Sequence, residues 1–125
     1  DLFSGSGMLG FEALSRGASS ITFVERELNE IKFIKKNNLK FKNEKIKIIK
    51  ANVLNYIKKN KLLYDLIIAD PPYGKIDLNE FFMNIKNNLI DGGNLILECS
   101  IKENQIKNYE KIKKYGDTQI ITLKK

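Results

Sequence analysis

The sequence predicts an α/β fold: a Rossmann-like, mostly parallel sheet with helices on both faces and an antiparallel last strand. Short β-branched runs alternate with longer stretches whose apolar residues lie three and four apart, a pattern typical of repeated strand and helix units. Gly5, Gly7 and Gly10 form a glycine loop before the first helix. Only Gly116 and Asp117 separate the last two strands, which is too short for a helical crossover, so those strands should pair antiparallel.

The same periodicity places each element in order. Strands are predicted over residues 20–24, 47–50, 66–69, 94–98, 111–115 and 119–123, and helices over residues 8–16, 28–41, 53–59 and 78–89. The first four strands are almost continuously apolar, as expected when helices cover both faces of a sheet. Gly17 ends the first helix, and residues 91–93 end the last. One apolar stripe should pack the last helix on the core, formed by Leu78, Phe82, Ile85 and Leu89.

Composition excludes several kinds of chemistry. Cys99 is the only cysteine and there is no histidine, so an internal disulfide, a Cys/His zinc site and histidine acid–base catalysis are excluded, and we expect no metal site. The 125 residues suit one domain over residues 1–125. The sequence has neither a signal-peptide pattern nor a run of about 18 apolar residues, so we expect a cytoplasmic protein without a membrane anchor.

The net charge of +7, from 22 basic and 15 acidic residues, suits a polyanionic partner such as a nucleic acid. Charge alone does not identify that partner. Twenty of the basic residues are Lys, and the chain is also rich in Ile and Asn, which indicates a general composition bias.

The chain begins abruptly. Residues 1–3 run directly into the glycine loop, whereas a strand of about 5–6 residues normally precedes such a loop. We therefore expect that this numbering starts inside a larger protein and that residues 1–3 are the end of its first strand.

The glycine loop predicts a ligand site. Its Gly-x-Gly-x-x-Gly pattern stands at a strand-to-helix junction, where a ligand can approach the backbone and face the helix N-terminus. Alone, the pattern also fits a turn that needs glycine for positive φ. Glu25 follows Gly5 by about 20 residues, where an acid can accept hydrogen bonds from both ribose hydroxyls of a nucleoside. By itself, Glu25 could be an ordinary surface carboxylate.

This spacing fits a nicotinamide dinucleotide or S-adenosylmethionine, and Asp1 favours the second. Its carboxylate would repel a pyrophosphate but can hold the ammonium of a methionine moiety, directly or through water. The oxygen of Asn52 can accept from the adenine amine, and the amide of Val53 can serve a ring nitrogen; Asn52 could instead, or also, cap the next helix. The predicted cofactor-binding residues are Asp1, Phe3, Gly5, Gly7, Glu25, Arg26, Asn52, Val53 and Asp70.

The predicted catalytic residues follow strand 66–69, at the edge where open α/β sheets bind ligands. They are Asp70, Pro71, Pro72 and Tyr73. The two prolines remove two amide donors, so the carbonyls of Asp70 and Pro71 can face something other than the backbone. The alternative is a rigid turn that Asp70 caps, with Tyr73 packed in the core.

This segment suits methylation of an exocyclic base amine. Such an amine is a poor nucleophile because its lone pair is conjugated into the ring. A carboxylate and a carbonyl that accept its N–H bonds would free the lone pair for attack on a sulfonium methyl, and the carboxylate of Asp70 can take the proton. The ring of Tyr73 would stack on the extruded base.

Taken together, residues 1–7, 10–18, 24–25 and 70–73 resemble the bacterial 16S ribosomal RNA (guanine-N2)-methyltransferase family. The resemblance runs from residue 1 to about residue 100, and the Glu-Ala-Leu-Ser-Arg-Gly-Ala helix is the part particular to this family. It implies a class I S-adenosylmethionine methyltransferase fold and a 16S guanine, in an assembling small subunit, as the substrate of a monomer. It also implies that Asp1, Gly5 and Gly7 contact the methionine part, Glu25 the ribose and Asn52 the adenine, and that residues 70–73 contact the guanine.

The chain departs from the family pattern at both of its ends. The basic hairpin with which the family begins is absent before Asp1, and the tail after Ser100 matches only as strand, turn and strand.

Two rival functions stay open. Methyltransferases for adenine N6 or protein glutamine N5 usually carry Asn rather than Asp at the position of Asp70. A Rossmann-type binding module without turnover would not need the intact pair of Asp70 and Tyr73.

Overall fold

A computed structural model describes residues 1–41, 45–103 and 109–125. The helices are α1 (Met8–Ser15), α2 (Leu28–Phe41), α3 (Val53–Lys59) and α4 (Leu78–Ile85), with a 3₁₀ turn at Lys86–Asn88. The strands are β1 (Ile21–Glu25), β2 (Ile46–Lys50), β3 (Tyr64–Ala69), β4 (Leu89–Ser100), β5 (Lys111–Tyr115) and β6 (Thr118–Lys124). The chain divides into two compact units, Asp1–Val53 and Leu54–Lys125. The assignment of residues 1–125 to a single methyltransferase core stays a prediction.

In the N-terminal unit, α1 and α2 share one face of a parallel strand pair. β1 and β2 run in register from Ile21 opposite Ile46 to Glu25 opposite Lys50. Phe11 of α1, Phe23 of β1 and Ile34 of α2 form one buried cluster. Each such side chain contributes about 1.5–3 kcal/mol by leaving water, so this cluster determines where α1 and the preceding loop lie.

The first residues run beside β1. Leu2 forms an isolated parallel bridge with Val24, and the amide of Val24 donates to the carbonyl of Asp1 at 2.9 Å. Leu2 is thus paired with β1, whereas Phe3, with φ of 57°, is not in a strand conformation.

In the C-terminal unit, four strands form a sheet in the order β3, β4, β6, β5. β3 pairs with β4 in parallel, and β6 pairs antiparallel with both β4 and β5. The predicted antiparallel last strand is confirmed. Because β3 and β4 are parallel, they run towards the same edge of the sheet, where Ala69 lies opposite Leu97.

The prediction for the last helix was wrong at its end. α4 stops at Ile85, and β4 begins at Leu89 rather than at residue 94. Residues 91–93, predicted to end the helix, lie inside β4, where the pairing with β3 shifts between Tyr64 and Leu66. Burial of Asn88, whose amide donates to the carbonyl of Ile57 at 2.9 Å, accompanies the change from helix to strand.

The buried stripe of α4 also differs from the prediction. Leu78, Phe81 and Ile85 are buried, whereas Phe82 is only partly buried. Phe81 and Ile85 follow Leu78 by three and seven residues, so the three side chains share the buried face of α4. Phe82 follows Leu78 by four residues and lies at the margin of that face. At the start of α4, the Asp77 carboxylate accepts from the amides of Asn79 and Glu80. Within the described residues, no helix is long and apolar enough to cross a membrane.

Candidate functional site

The glycine loop has an unusual backbone. Gly5 and Gly7 have φ of 51° and 83°, and Phe3, which is not a glycine, has φ of 57°. A left-handed conformation costs a bulky residue about 1–2 kcal/mol. Such residues persist where surrounding contacts enforce them, and they concentrate at functional sites. Phe3 therefore supports a ligand-binding role for the loop.

Ser4, which the sequence analysis missed, ties the loop to β1. Its buried hydroxyl lies 2.7 Å from the carbonyl of Asp1 and accepts from the amide of Val24 at 3.0 Å. The carbonyl of Ser4 in turn accepts from the amide of Gly7 at 2.7 Å, closing a turn. In the sequence, only the position of Ser4, between Phe3 and the first glycine of the loop, could have indicated this role.

Glycine is needed at Gly5 and Gly7 for different reasons. A Cβ on Gly5 would meet no atom within 4 Å, so only the positive φ demands glycine and the loop is open at that point. At Gly7, a Cβ would lie 3.0 Å from Phe11 and 3.2 Å from Ile34, so packing demands glycine as well. Gly7, the N-cap of α1, supplies no side-chain cap. Asp1 bonds the amide of Gly10 in the first turn, so only the amides of α1 before Gly10 can serve an anionic group.

Asp1 is fastened to the first turns of α1. Its Oδ2 accepts from the amide of Gly10 at 2.9 Å. A Cβ on Gly10 would lie 2.3 Å from a ring atom of Phe23 and 2.4 Å from Ile21, so α1 can lie this close to β1 only with glycine there. A carboxylate oxygen has more than one acceptor direction, and Asp1 retains capacity to accept from a ligand ammonium.

Glu25 lies beside the glycine loop, as its predicted role requires, but its carboxylate is already bonded. Oε2 accepts from the amide of Gly5 at 2.8 Å, and Oε1 accepts from the amides of Arg26 at 2.6 Å and Glu27 at 2.9 Å. The residue is only 8% exposed, so it is not an ordinary surface carboxylate. These amides occupy most of the roughly four acceptor positions of a carboxylate.

Arg26 belongs to this neighbourhood through its backbone. Its side chain points to solvent, where Nε lies 2.9 Å from the carboxylate of Glu27. Exposed ion pairs of this kind contribute about 0–1 kcal/mol, so the structure assigns no further role to the guanidinium.

Asn52 and Val53 follow the strand next to Glu25. β1 and β2 end side by side, and the amide of Ala51 donates to the carbonyl of Glu25 at 3.0 Å. Asn52 is exposed directly before α3, and Val53, its first residue, is buried. This position fits both an adenine contact and a helix cap. The N-terminal unit thus brings together Asp1, Phe3, Gly5, Gly7, Glu25, Arg26, Asn52 and Val53.

In the C-terminal unit, the Asp-Pro-Pro-Tyr segment starts where β3 ends. Pro71 is buried, whereas Asp70 and Pro72 are exposed and Tyr73 is 45% exposed. The alternative in which Tyr73 is a core residue is therefore wrong. The amide of Lys75 donates to the carbonyl of Pro72 at 3.2 Å, which turns the chain immediately after the segment.

A second carboxylate, Glu98, stands near Asp70. Ala69 pairs with Leu97, so the next residues of β3 and β4 emerge at the same edge. Partial desolvation and then the charge of Glu98 raise the pKa of Asp70 above its ordinary value. No motif in the sequence pointed to Glu98, although Glu98 is the last residue of the predicted strand 94–98.

Comparisons with known proteins identify the family of this chain. The family described as conserved hypothetical protein 95 matches residues 1–124. A protein of Buchnera aphidicola subsp. Baizongia pistaciae, named ribosomal RNA small subunit methyltransferase D, is 40% identical over 97 residues, which are 77% of this chain and 50% of that protein. The chain thus spans about half the length of the curated relatives it matches.

Solved structures of methylases have a similar fold. A Haemophilus influenzae protein assigned as a methylase superposes with a TM-score of 0.85 and 28% identity, over 98% of this chain and 84% of that one. The ribosomal protein L11 methylase of Lactobacillus delbrueckii subsp. bulgaricus has a TM-score of 0.78 and 19% identity over 98% and 66%, a likeness that shows the fold alone.

The predicted class I S-adenosylmethionine methyltransferase fold is confirmed, and S-adenosylmethionine is the cofactor of that fold. With residues 1–124 matched, the chain belongs to the conserved hypothetical protein 95 family, the family of the small-subunit ribosomal RNA methyltransferase D proteins.

Proposed function

We propose that the full protein transfers a methyl group from S-adenosylmethionine to N2 of a guanine in 16S ribosomal RNA, acting as a cytoplasmic monomer on an assembling small subunit. The observation that carries this proposal is the exposed Asp70, with its raised pKa, at the end of β3 in a chain of this family. The names of the curated relatives support ribosomal RNA as the substrate class.

The N-terminal unit fits the cofactor. The open space at Gly5, the strained Phe3 and the amides of α1 before Gly10 suit a carboxylate, and Asp1 offers an acceptor for an ammonium. When bound, S-adenosylmethionine supplies an electrophilic methyl group on a sulfonium. Asn52 and the amide of Val53 would hold its adenine. For Glu25 to accept from two ribose hydroxyls, it must release part of its bonding to the backbone amides.

Asp70 is suited to the base amine. Its raised pKa gives the carboxylate a higher proton affinity than an ordinary Asp, which favours acceptance of a proton as positive charge develops on the amine. Pro71 and Pro72 have no amide hydrogen, so no donor of theirs competes with the base amine for nearby acceptors. The half-exposed ring of Tyr73 offers a face for stacking.

The carboxylate also favours guanine over adenine. Guanine presents N1–H and the N2 amine side by side, both donors, and an ionised Asp70 is purely an acceptor. Adenine presents its N6 amine beside N1, which is itself an acceptor and would face the carboxylate unfavourably. An Asn in this place could accept from N6 and donate to N1. This match of donors to an acceptor supports the proposal of guanine N2 over the rival adenine-N6 reaction.

The test is methyl transfer by the full protein from labelled S-adenosylmethionine, with unmodified small-subunit particles, free 16S RNA, DNA and a release-factor-like protein as separate acceptors. Digestion of the labelled product identifies the methylated group. We expect N2-methylguanine from the RNA substrates. N6-methyladenine or methylglutamine would contradict the proposal, and cofactor binding without transfer to any acceptor would indicate a binding module.

A further inference from the structure

We propose that Thr118 and Glu103, both from the tail after Ser100, are positioning residues that hold Tyr73 and Gly74 ready for the target base. This inference rests on the proposed function, because it assumes that Tyr73 contacts a base. The family resemblance assigned no role to this part of the chain beyond its strand pattern.

Thr118 holds the end of the Tyr73 side chain. The hydroxyls of the two residues lie 2.9 Å apart, and the same Tyr73 hydroxyl lies 3.4 Å from Oε1 of Glu98. Tyr73 is 45% exposed, so packing alone does not restrict its ring. The hydroxyl bond therefore limits a side chain that would otherwise rotate in solvent, and it leaves ring surface accessible.

Glu103 holds the backbone that follows Tyr73. Its Oε1 accepts from the amide of Gly74 at 2.8 Å, and its Oε2 accepts from the amide of Ser100 at 3.1 Å. One carboxylate thus links the Asp-Pro-Pro-Tyr turn to the end of β4. Gly74 has φ of 66°, a conformation that leaves its amide directed at Glu103 and that few other residues adopt.

The Thr118 tether ends on strand backbone, and the amide of Glu103 donates to the carbonyl of Ser100, the last residue of β4, at 3.0 Å. Thr118 is the first residue of β6, where it pairs with Ser100 of β4 and Tyr115 of β5. The amide of Ile101 also donates to the carbonyl of Asp117 at 3.0 Å, which joins the end of β4 to the turn of the hairpin. Contacts on two hydrogen-bonded strands can determine the place of Tyr73 more closely than contacts within a loop.

Ordering a side chain in advance reduces the entropy lost on binding. Immobilising one flexible side chain changes an affinity by about 2- to 10-fold. We expect loss of the Thr118 hydroxyl to raise KM for RNA or lower kcat/KM by that factor. Cofactor affinity should not change, because these residues do not belong to the glycine loop.

The decisive experiment is a double-mutant cycle in the full protein with Tyr73→Phe and Thr118→Val. Each single variant should lower kcat/KM for RNA by about 2- to 10-fold, and the double variant should be no worse than the poorer single one. Thr118→Ser should restore activity. The matched control is Thr122→Val on the same face of β6, whose hydroxyl lies 3.4 Å from the carbonyl of Lys111; it should change nothing.

A second measurement does not depend on activity. Glu103→Ala should speed hydrogen exchange at the amides of Gly74 and Ser100, whereas Glu110→Ala, which removes an exposed carboxylate just before β5, should not. Additive losses in the cycle, failure of Thr118→Ser, or unchanged exchange at Gly74 would overturn the inference. If the parent protein makes no N2-methylguanine, the proposed function fails instead, and the exchange data still decide whether Glu103 tethers the turn.

Discussion

The glycine loop and the Asp-Pro-Pro-Tyr segment solve different binding problems with different parts of the chain. In the loop, backbone groups predominate: amides of Gly5 and Gly10 bond to carboxylates, and positive φ shapes the turn. In the segment, Pro71 and Pro72 remove amides, and side-chain groups hold the turn, as Tyr73 does with Thr118. In the proposed function, the first region donates to the carboxylate of the cofactor, and the second accepts from the base amine.

This difference predicts how each region responds to mutation. A site built on the backbone is sensitive to an added Cβ where the chain is packed, as at Gly10, and to loss of a carboxylate that holds its amides, as at Glu25. A side-chain site is sensitive to the loss of one charge or one hydroxyl. The following changes test that contrast.

The largest effect is expected at Asp70 in the full protein. Asp70→Ala should abolish transfer to guanine N2 and leave S-adenosylmethionine affinity within a few-fold of the parent. Asp70→Asn keeps the size and one acceptor oxygen but loses the charge, so single-turnover transfer should fall by about 10²–10⁴-fold. Asp65→Asn, at an exposed position of β3, is the control. Near-normal activity of Asp70→Asn would mean that hydrogen-bond geometry suffices without charge.

Glu25 is expected to matter for the cofactor rather than for the chemical step. Glu25→Ala removes an acceptor for ribose and also leaves the amides of Gly5 and Glu27 without their carboxylate. Calorimetry should show cofactor binding weakened by about 1–3 kcal/mol, and turnover at saturating cofactor should survive. The exposed Glu27→Ala is the matched control. Unchanged affinity with lowered stability would reduce Glu25 to a structural support of the loop.

Gly10 tests the close approach of α1 to β1. In Gly10→Ala, the new methyl group would lie within 2.4 Å of atoms of Phe23 and Ile21, so urea unfolding should show a loss of about 1–3 kcal/mol. Adding Ile21→Val removes one of the clashing atoms and should recover part of that loss. A fully stable Gly10→Ala protein would show that α1 can move away from the strand without cost.

The smallest effect concerns pH. The Asp70 carboxylate must be ionised to accept from the base amine, so kcat/KM should fall as pH decreases through the pKa of Asp70. Partial desolvation and the charge of Glu98 raise this pKa above its ordinary value of 3.8. Glu98→Gln removes the neighbouring negative charge, which lowers the pKa of Asp70, so the acidic limb of the pH profile should move to lower pH. A limb that stays in place would show that Glu98 does not influence Asp70.

Much of the fold and of the candidate site followed from local features of the sequence. Periodicity located ten elements, and α2, α3 and β5 have the predicted bounds. Gly5 and Gly7 indicated the positive φ of the loop, and the residues after β3 were placed at the sheet edge. These properties depend on neighbours in sequence: side-chain alternation, the freedom of glycine and the rigidity of proline act over a few residues.

Only the tertiary structure decided which groups meet. The end of α4 at Ile85 depends on the pairing of Leu89 with Tyr64, and the state of the Glu25 carboxylate depends on amides that include one 20 residues away. Tyr73 finds Thr118 across 45 residues. Such partners leave no period in the sequence, because hydrogen bonds form between whatever groups the packed strands bring within about 3 Å. The sequence by itself therefore determined most of the elements and predicts which residues carry the chemistry, and the packing determined how those residues are held.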